Sequence, residues 1–417
     1  MSFVSIVLKQ PARLLDLPKP VWLLGWVSLA TDSATEAIYP LLPFFLTRVL
    51  GAGAVSLGIV EGAAEAVNSF LKIISGRIAD RSRRKRPLVL FGYSVSSIAR
   101  PFIAVTTTWT QVFVVRVLDR VGKGVRGAPR DAMLAMWATP TTRGKVFGFH
   151  RAMDHLGAVV GPTLASVFLF FYPGEYRTLF ALTIIPGAIA VALIFFVPEA
   201  ETVRLKPDTT EDPHEVRLKP DTTEDRTTAL PREFTLFMLV LTLFTLGNST
   251  DAFLLLKLTD AAGSVQFIPL MWAALHVVKA VVSVVGGSWS DRIGRRSVIA
   301  IGWLIYATVY AGFALSQTLT VLIAWFLVYG FYFGFAEGTE KALVADLAPA
   351  SRRGFAFGMY TAVQGLGALA ASVLFGIIWN AYGAAAAFGV GAALALVATA
   401  WLFAIIKPLH ATDSGDE

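Results

Sequence analysis

From residue 21 to residue 407 the chain alternates long apolar runs with short polar breaks. A helix needs about 20 consecutive apolar residues to cross the hydrocarbon core of a bilayer. Twelve runs meet that length: 21–47, 53–78, 87–106, 109–137, 144–172, 177–198, 233–258, 264–289, 297–315, 319–347, 352–380 and 384–407. Several exceed the minimum, which predicts tilt or projection beyond the bilayer. The breaks sort by charge. One set carries Arg81, Arg83, Arg84, Lys85 and Arg86, then Arg143 with Lys145, Arg292 with Arg295 and Arg296, and Arg352 with Arg353. The other set (51–53, 106–108, 260–263, 316–318) is nearly uncharged. Basic loops remain in the cytoplasm. The pattern therefore predicts a multi-pass protein of the inner (cytoplasmic) membrane with both termini cytoplasmic.

Composition agrees with that pattern. Of 417 residues 55% are hydrophobic and 16% charged, with mean hydropathy +0.63; a soluble domain carries about 25% charged residues. The net charge of +7 lies in the short segments between apolar runs, which fits membrane topology and not a nucleic-acid surface. With no Cys, disulfides, thiolate metal sites and thiol nucleophiles are excluded.

The chain repeats itself. Arg143, Gly144, Phe147 and Gly148 match Arg353, Gly354, Phe357 and Gly358, and 156–158 match 366–368, at an offset of 210. Gly76, Asp80 and Arg81 match Gly287, Asp291 and Arg292 at an offset of 211. Repeats in one order at nearly the same offset imply two six-helix halves. The expected layout is an N-terminal segment (1–20), a first half (21–198), a cytoplasmic linker (199–232), a second half (233–407) and a tail (408–417). The linker contains one decapeptide twice, at 203–212 and 216–225, and has too little apolar surface to fold.

Ionisable residues inside apolar runs are costly and mark function. Asp32 and Glu36 share one face of helix 1, and Glu61 and Glu65 one face of helix 2, at i,i+4; Lys72 falls on the same face as Glu65. Helix 4 carries Arg116, Asp119, Arg120, Lys123, Arg126, Arg130 and Asp131. Asp154 and His155 lie on helix 5, one turn after His150. A carboxylate in an apolar cavity has a raised pKa and exchanges protons near neutrality. Internal ion pairs such as Glu65–Lys72 or Asp154–Arg116 are the alternative use of the same residues. In the second half Asp251, His276 and Lys279 fall near the positions of Glu36, Glu65 and Asn68, so proton chemistry is expected mainly in the first half. His150 and Asp154 offer two metal ligands at helical spacing without a third group, and no metal or cofactor site is expected.

Two motifs carry a resemblance. Gly76-Arg-Ile-Ala-Asp80-Arg81-Ser-Arg83-Arg84 and Gly287-Ser-Trp-Ser-Asp291-Arg292-Ile-Gly294-Arg295-Arg296 resemble the loop signature G-x-x-x-D-R-x-G-R-R of the major facilitator superfamily; the first copy has Ser82-Arg83 where x-Gly is usual. The resemblance implies gating roles for Gly76, Asp80, Arg81, Arg84, Gly287, Asp291, Arg292 and Arg295, with Arg84 paired to Asp131. Lys341 stands where Asp131 would repeat, and Glu340 is the nearest substitute. Second, Gly148, Gly157, Gly161 and Pro162 on helix 5 resemble the signature of proton-coupled exporters of that superfamily, with Ala165-Ser166 in place of its closing Gly-Gly. A soluble helix loses about 1 kcal/mol at an interior Gly and about 3 at a Pro, whereas in membranes small residues let helices approach closely. Their smooth face is expected to meet a helix of the other half. Arg116 is similar to the helix-4 arginine that such antiporters place beside a protonatable acid. The pattern from Asp119 to Asp131 resembles a branch of bacterial permeases without an assigned substrate.

The resemblance implies an all-α membrane protein with twelve helices in two pseudo-symmetric halves. It implies a monomeric, proton-coupled antiporter exporting a small organic or amphipathic molecule, with Asp32, Glu36, Glu61, Glu65, Arg116, Asp154 and His155 in the coupling cavity. Import of an organic anion, or export of a metal or metal chelate, are the alternatives. No enzyme signature or P-loop is present, so transport would be secondary.

Overall fold

The computed structural model describes residues 17–82, 84–137, 143–199, 230–349 and 352–405. The expected linker, and most of both terminal segments, lie outside the described residues. The first half comprises α1 (Lys19–Ile38), α2 (Ala54–Arg81), α3 (Arg86–Ala99), α4 (Trp109–Met136), α5 (Arg143–Phe171) and α6, which runs Tyr176–Leu182 and Ile184–Phe195 around Thr183. The second comprises α7 (Arg232–Gly247 and Ala252–Ala262), α8 (Ile268–Ile293), α9 (Arg295–Leu315) and α10 (Leu319–Leu347). A final stretch, Arg353–Ile405, breaks at Gly383, whose φ of 85° only glycine adopts cheaply. It forms α11 (353–382) and α12 (384–405). No strand occurs among the described residues.

Eight helical stretches among the described residues are long and apolar enough to cross a membrane, the 51-residue Phe355–Ile405 serving for both α11 and α12. The charges of α4 hide it from a hydropathy criterion, although it runs 28 residues from a Thr108/Gln111 capping box. Beyond Ile38, Pro40 and Pro43 lack the N–H that an α-helix needs, and α1 continues through 3₁₀ and π turns to Val49.

The sequence duplication reappears in the packing. α1 lies on α5 as α7 lies on α11, α2 and α3 lie on α4 as α8 and α9 lie on α10, and the halves meet where α2 packs on α11 and α5 on α8. Small residues set these approaches: a Cβ on Gly58 or Gly62 of α2 would run into the Ser372 or Leu369 backbone of α11. The largest buried apolar cluster spans both halves and takes in Leu41, Phe45, Leu57, Phe253, Tyr310 and Phe375.

At the end away from the basic loops the halves are stitched. Arg48 pairs with Asp260, Tyr39 and Thr250 share a hydrogen bond (3.3 Å), and the Ser166 hydroxyl donates to the Gln266 carbonyl (2.9 Å). At the basic-loop end they part. Gly148 on α5, Gly338 on α10 and Gly358 on α11 have open space where a Cβ would project.

Candidate functional site

Two cavities between the halves share Arg151, His155 and His276 and so form one chamber. The smaller, about 270 Å³, is walled by Asp32 and Glu36 of α1, Lys72 of α2, Lys123, Arg126 and Arg130 of α4, and Asp154 of α5. The larger, about 430 Å³, extends along Lys279 of α8 and Phe333, Glu337 and Lys341 of α10.

Gly157 and Gly161 determine how α5 presents Asp154. A Cβ on Gly157 would come within 2.6 Å of the Leu29 carbonyl oxygen, and one on Gly161 would strike the Ser33 backbone. The helices therefore touch backbone to backbone, which brings Asp154 to the Ser28 hydroxyl, while His150, one turn earlier on α5, lies 3.6 Å from the same carboxylate. This corrects the expected partner of the helix-5 signature: its smooth face meets α1 of the same half, while Ser166 reaches α8 of the other. Gly367 of α11 packs against Thr245 of α7 in the equivalent place.

Asp32 makes no hydrogen bond or ion pair among the described residues and faces the chamber. Glu36 accepts a hydrogen bond from the Trp272 indole across the seam (2.8 Å). Glu61 lies outside this wall. It takes two hydrogen bonds from Arg116, Nε to Oε1 at 2.9 Å and Nη2 to Oε2 at 2.6 Å. Both side chains are buried, at 2% and 5% exposure. The acid beside Arg116 is thus Glu61 and not Asp154. Glu65 is exposed, accepts from Asn68 (3.1 Å) and makes no ion pair with Lys72. His155 lines both cavities.

The gate residues are described in part. The side chains of Asp80, Arg81, Gly287, Asp291 and Arg292 lie outside the described residues. Asp131 pairs with its neighbour Arg130 (2.9 Å) and Arg84 is exposed, so the Arg84–Asp131 latch is not engaged here. Arg295 pairs with Asp346 (3.2 Å). Glu340 does not stand in for Asp131: it turns inward and accepts hydrogen bonds from Trp303 (2.9 Å), Tyr360 (3.1 Å) and Gln364 (3.2 Å).

Sequence reading missed three arrangements. Asp119 is ringed by Arg100 (2.9 Å), Arg116 (3.6 Å) and Arg120 (4.0 Å), joining α3 to α4; a lone Arg100 within an apolar run was the available signal. In the second half α7 is non-helical between Gly247 and Ala252, and its freed polar side chains meet tyrosines. Asn248 donates to Tyr332 (3.0 Å), Ser249 bonds Tyr310 (3.1 Å), and Asp251 accepts from Tyr329 (2.7 Å) and lies 3.5 Å from Lys279. With Asp251 half-buried here and Glu340 buried, acids inside the bundle are therefore not confined to the first half. Third, Arg151 reaches Glu337 across the chamber (3.7 Å), and Glu337 holds Lys341 (2.9 Å). Among the described residues no cluster of three His, Cys, Asp or Glu is arranged around a metal position.

This chamber combines waterside carboxylates, buried cations and one closed end, the chemistry of a solute pathway. Known proteins agree in kind. The chain is 32% identical over 371 residues to an uncharacterised MFS-type transporter of Methanocaldococcus jannaschii, covering 88% of this chain and 89% of that one. It is 25% identical to the multidrug resistance protein MdtH of Cronobacter sakazakii over 76% of each. Its backbone is similar to the crystal structure of a mutant of the nucleoside transporter NupG, with TM-score 0.78 at 16% identity over 93% of this chain and 100% of that one. The model of one family, described as Major Facilitator Superfamily, matches residues 21–263 and 234–417, one match for each half of the duplicated chain. The chain belongs to the major facilitator superfamily.

Proposed function

We propose that the protein is a proton-coupled exporter of a small organic or amphipathic molecule. It works by alternating access in the inner membrane, with the basic loops and both termini in the cytoplasm. The carrying observation is the α1–α5 contact: Gly157 and Gly161 seat α5 on α1 so that Asp32, Glu36 and Asp154 face one chamber open toward the basic loops. Carboxylates there take up and release protons while the far end is sealed by Arg48–Asp260 and its neighbours. A cargo that competes with the protons for those carboxylates is exchanged for them, because binding of one disfavours the other. The resemblance of helix 5 to the exporter signature and the likeness to a multidrug resistance protein support the outward direction. The test is flux into inside-out vesicles over a panel of drugs, metals and metabolites, with and without a proton gradient. Accumulation that collapses with the gradient is expected; gradient-independent, non-saturating flux would overturn a coupled carrier.

The chamber wall favours a second reading, uptake of an organic anion. Lys72, Lys123, Arg126, Arg130, Arg151, Lys279 and Lys341 outnumber Asp32, Glu36, Asp154 and Glu337. Protonating a carboxylate frees its cation for an anionic cargo, so proton and anion binding reinforce each other and the proton gradient drives both inward. Right-side-out vesicles separate the two: acid-stimulated uptake of an anion supports this reading and defeats export.

A further inference from the structure

We propose that the crevice between α2 and α11 at the basic-loop end holds the headgroup of an anionic phospholipid. The two helices pack tightly over much of their length, where Gly58 meets Ser372, Gly62 meets Leu369 and Gly365 meets Ser69. Beyond Gly365 they diverge: a Cβ on Gly76 would meet only Ala128, at 3.7 Å, and one on Gly358 would meet nothing within 4 Å. The wedge so formed measures about 620 Å³ and is lined by Lys72, Ile73 and Arg77 of α2 and by Phe355, Phe357 and Met359 of α11.

Charge and depth select the occupant. Lys72 and Arg77 are exposed, and their side chains make no hydrogen bond or ion pair among the described residues. The nearest described acids are engaged elsewhere, Glu65 with Asn68 and Asp131 with Arg130. Arg77 lies about one turn from the end of α2, roughly 6 Å at 1.5 Å per residue, which is headgroup level. Lys72 lies deeper and extends its ammonium toward the same level along its apolar stem. Phe70, Ile74 and Ile78, spaced four residues apart on α2, and Phe355 on α11 are exposed apolar side chains, 37–65% accessible, and acyl chains would cover them. A phosphate diester between two unpaired cations, with its tails on an apolar face, satisfies both features. Zwitterionic lipid brings its own cation and gains less. Because Lys72 also lines the central chamber, an occupied crevice holds α2 away from α11 in the state open at this end.

The test is native mass spectrometry of the purified full-length protein in an equimolar mixture of phosphatidylglycerol and phosphatidylcholine, alongside thermal melting with each lipid. Wild-type protein is expected to retain one phosphatidylglycerol at least five-fold over phosphatidylcholine. Its melting temperature should rise by several degrees with that lipid, and Lys72→Gln with Arg77→Gln should bring both to parity. If the double variant fails to fold, Arg77→Gln alone is read in the same way. Equal retention of the two lipids by wild type, or an unchanged preference in the variants, would overturn the proposal. So would equal protection by inorganic phosphate, which assigns the cations to a soluble oxyanion.

Discussion

Arg116 of α4 grips Glu61 of α2 through two parallel hydrogen bonds, with neither side chain reaching solvent. The same guanidinium lies 3.6 Å from Asp119, which Arg100 holds from α3. Arg116 thus ties α4 to α2, and Asp119 of the same helix extends the cluster to Arg100 at the end of α3. Breaking a buried pair from one side leaves an uncompensated charge and costs about 3–5 kcal/mol. Glu61→Gln should therefore lower the melting temperature sharply in detergent. Arg116→Lys should be nearly as damaging, because an ammonium cannot reproduce the fork. Pairing Glu61→Gln with Arg116→Met should recover part of the loss in a double-mutant cycle. Additive losses would show that the two side chains act independently.

The helix-5 glycines give a graded series. Gly157→Ala and Gly161→Ala each push a methyl into the α1 backbone, and Gly367→Ala pushes one into Thr245. Gly148→Ala and Gly358→Ala meet open space. The first three should cost about 1–3 kcal/mol, as overpacking does, while the last two stay close to wild type by thermal melting. Gly157 meets α1 and Gly367 meets α7, so in packing the two are counterparts. Equal tolerance across all five would refute the close approach.

Helix order and the two-half layout were readable from the sequence because hydropathy and duplication are properties of long segments. The twelve runs agree with the helices within a few residues at most ends, and the repeat offset reappears as equivalent helix contacts. Side-chain partners were less readable. Helical spacing placed Asp32 and Glu36 on one face, yet only tertiary structure decides that Glu36 meets Trp272 of the other half. Likewise Arg116 had several acids within reach of a plausible fold, and the register of α2 against α4 selected Glu61. Glu340 was offered as a gate acid only because it adjoins Lys341, which holds the repeat position of Asp131. A one-residue difference along a helix turns a side chain by about 100°, enough to carry it from the loop end into the core.

Arg48 and Asp260 close the end opposite the basic loops, and both are partly exposed, at 59% and 37%. An exposed pair contributes about 0–1 kcal/mol and weakens with salt. Its loss should tip a conformational balance without unfolding the protein. The chain has no Cys, so Gln266→Cys gives a single reporter beside the Ser166 contact. Adding Asp260→Lys should speed labelling of that Cys by a membrane-impermeant maleimide by up to about five-fold, while Arg48→Asp combined with Asp260→Lys should slow it again. Identical labelling rates would mean that the pair does not hold the gate.

In the proposed mechanism proton coupling falls to the acids that face the chamber, and their surroundings differ in a way that orders them. Asp32 has no hydrogen-bond or ion-pair partner among the described residues, Glu36 is held by the Trp272 indole across the seam, and Asp154 is held by Ser28 and flanked by His150 and Arg151. An acid without partners is free to change protonation with the state of the chamber. One held across the seam must let go when the halves rock. The double variant Asp32→Asn, Glu36→Gln should therefore abolish cargo-induced proton release in detergent across a range of pH values. It should also stop uphill transport while leaving downhill exchange measurable. Trp272→Phe removes the indole donor while keeping an aromatic ring beside Tyr39 and His276, and should leave proton release intact but alter the rate of exchange. Unchanged release in the double variant would move the assignment to Asp154 or Glu65, and loss of release in Trp272→Phe would make Glu36 the primary site.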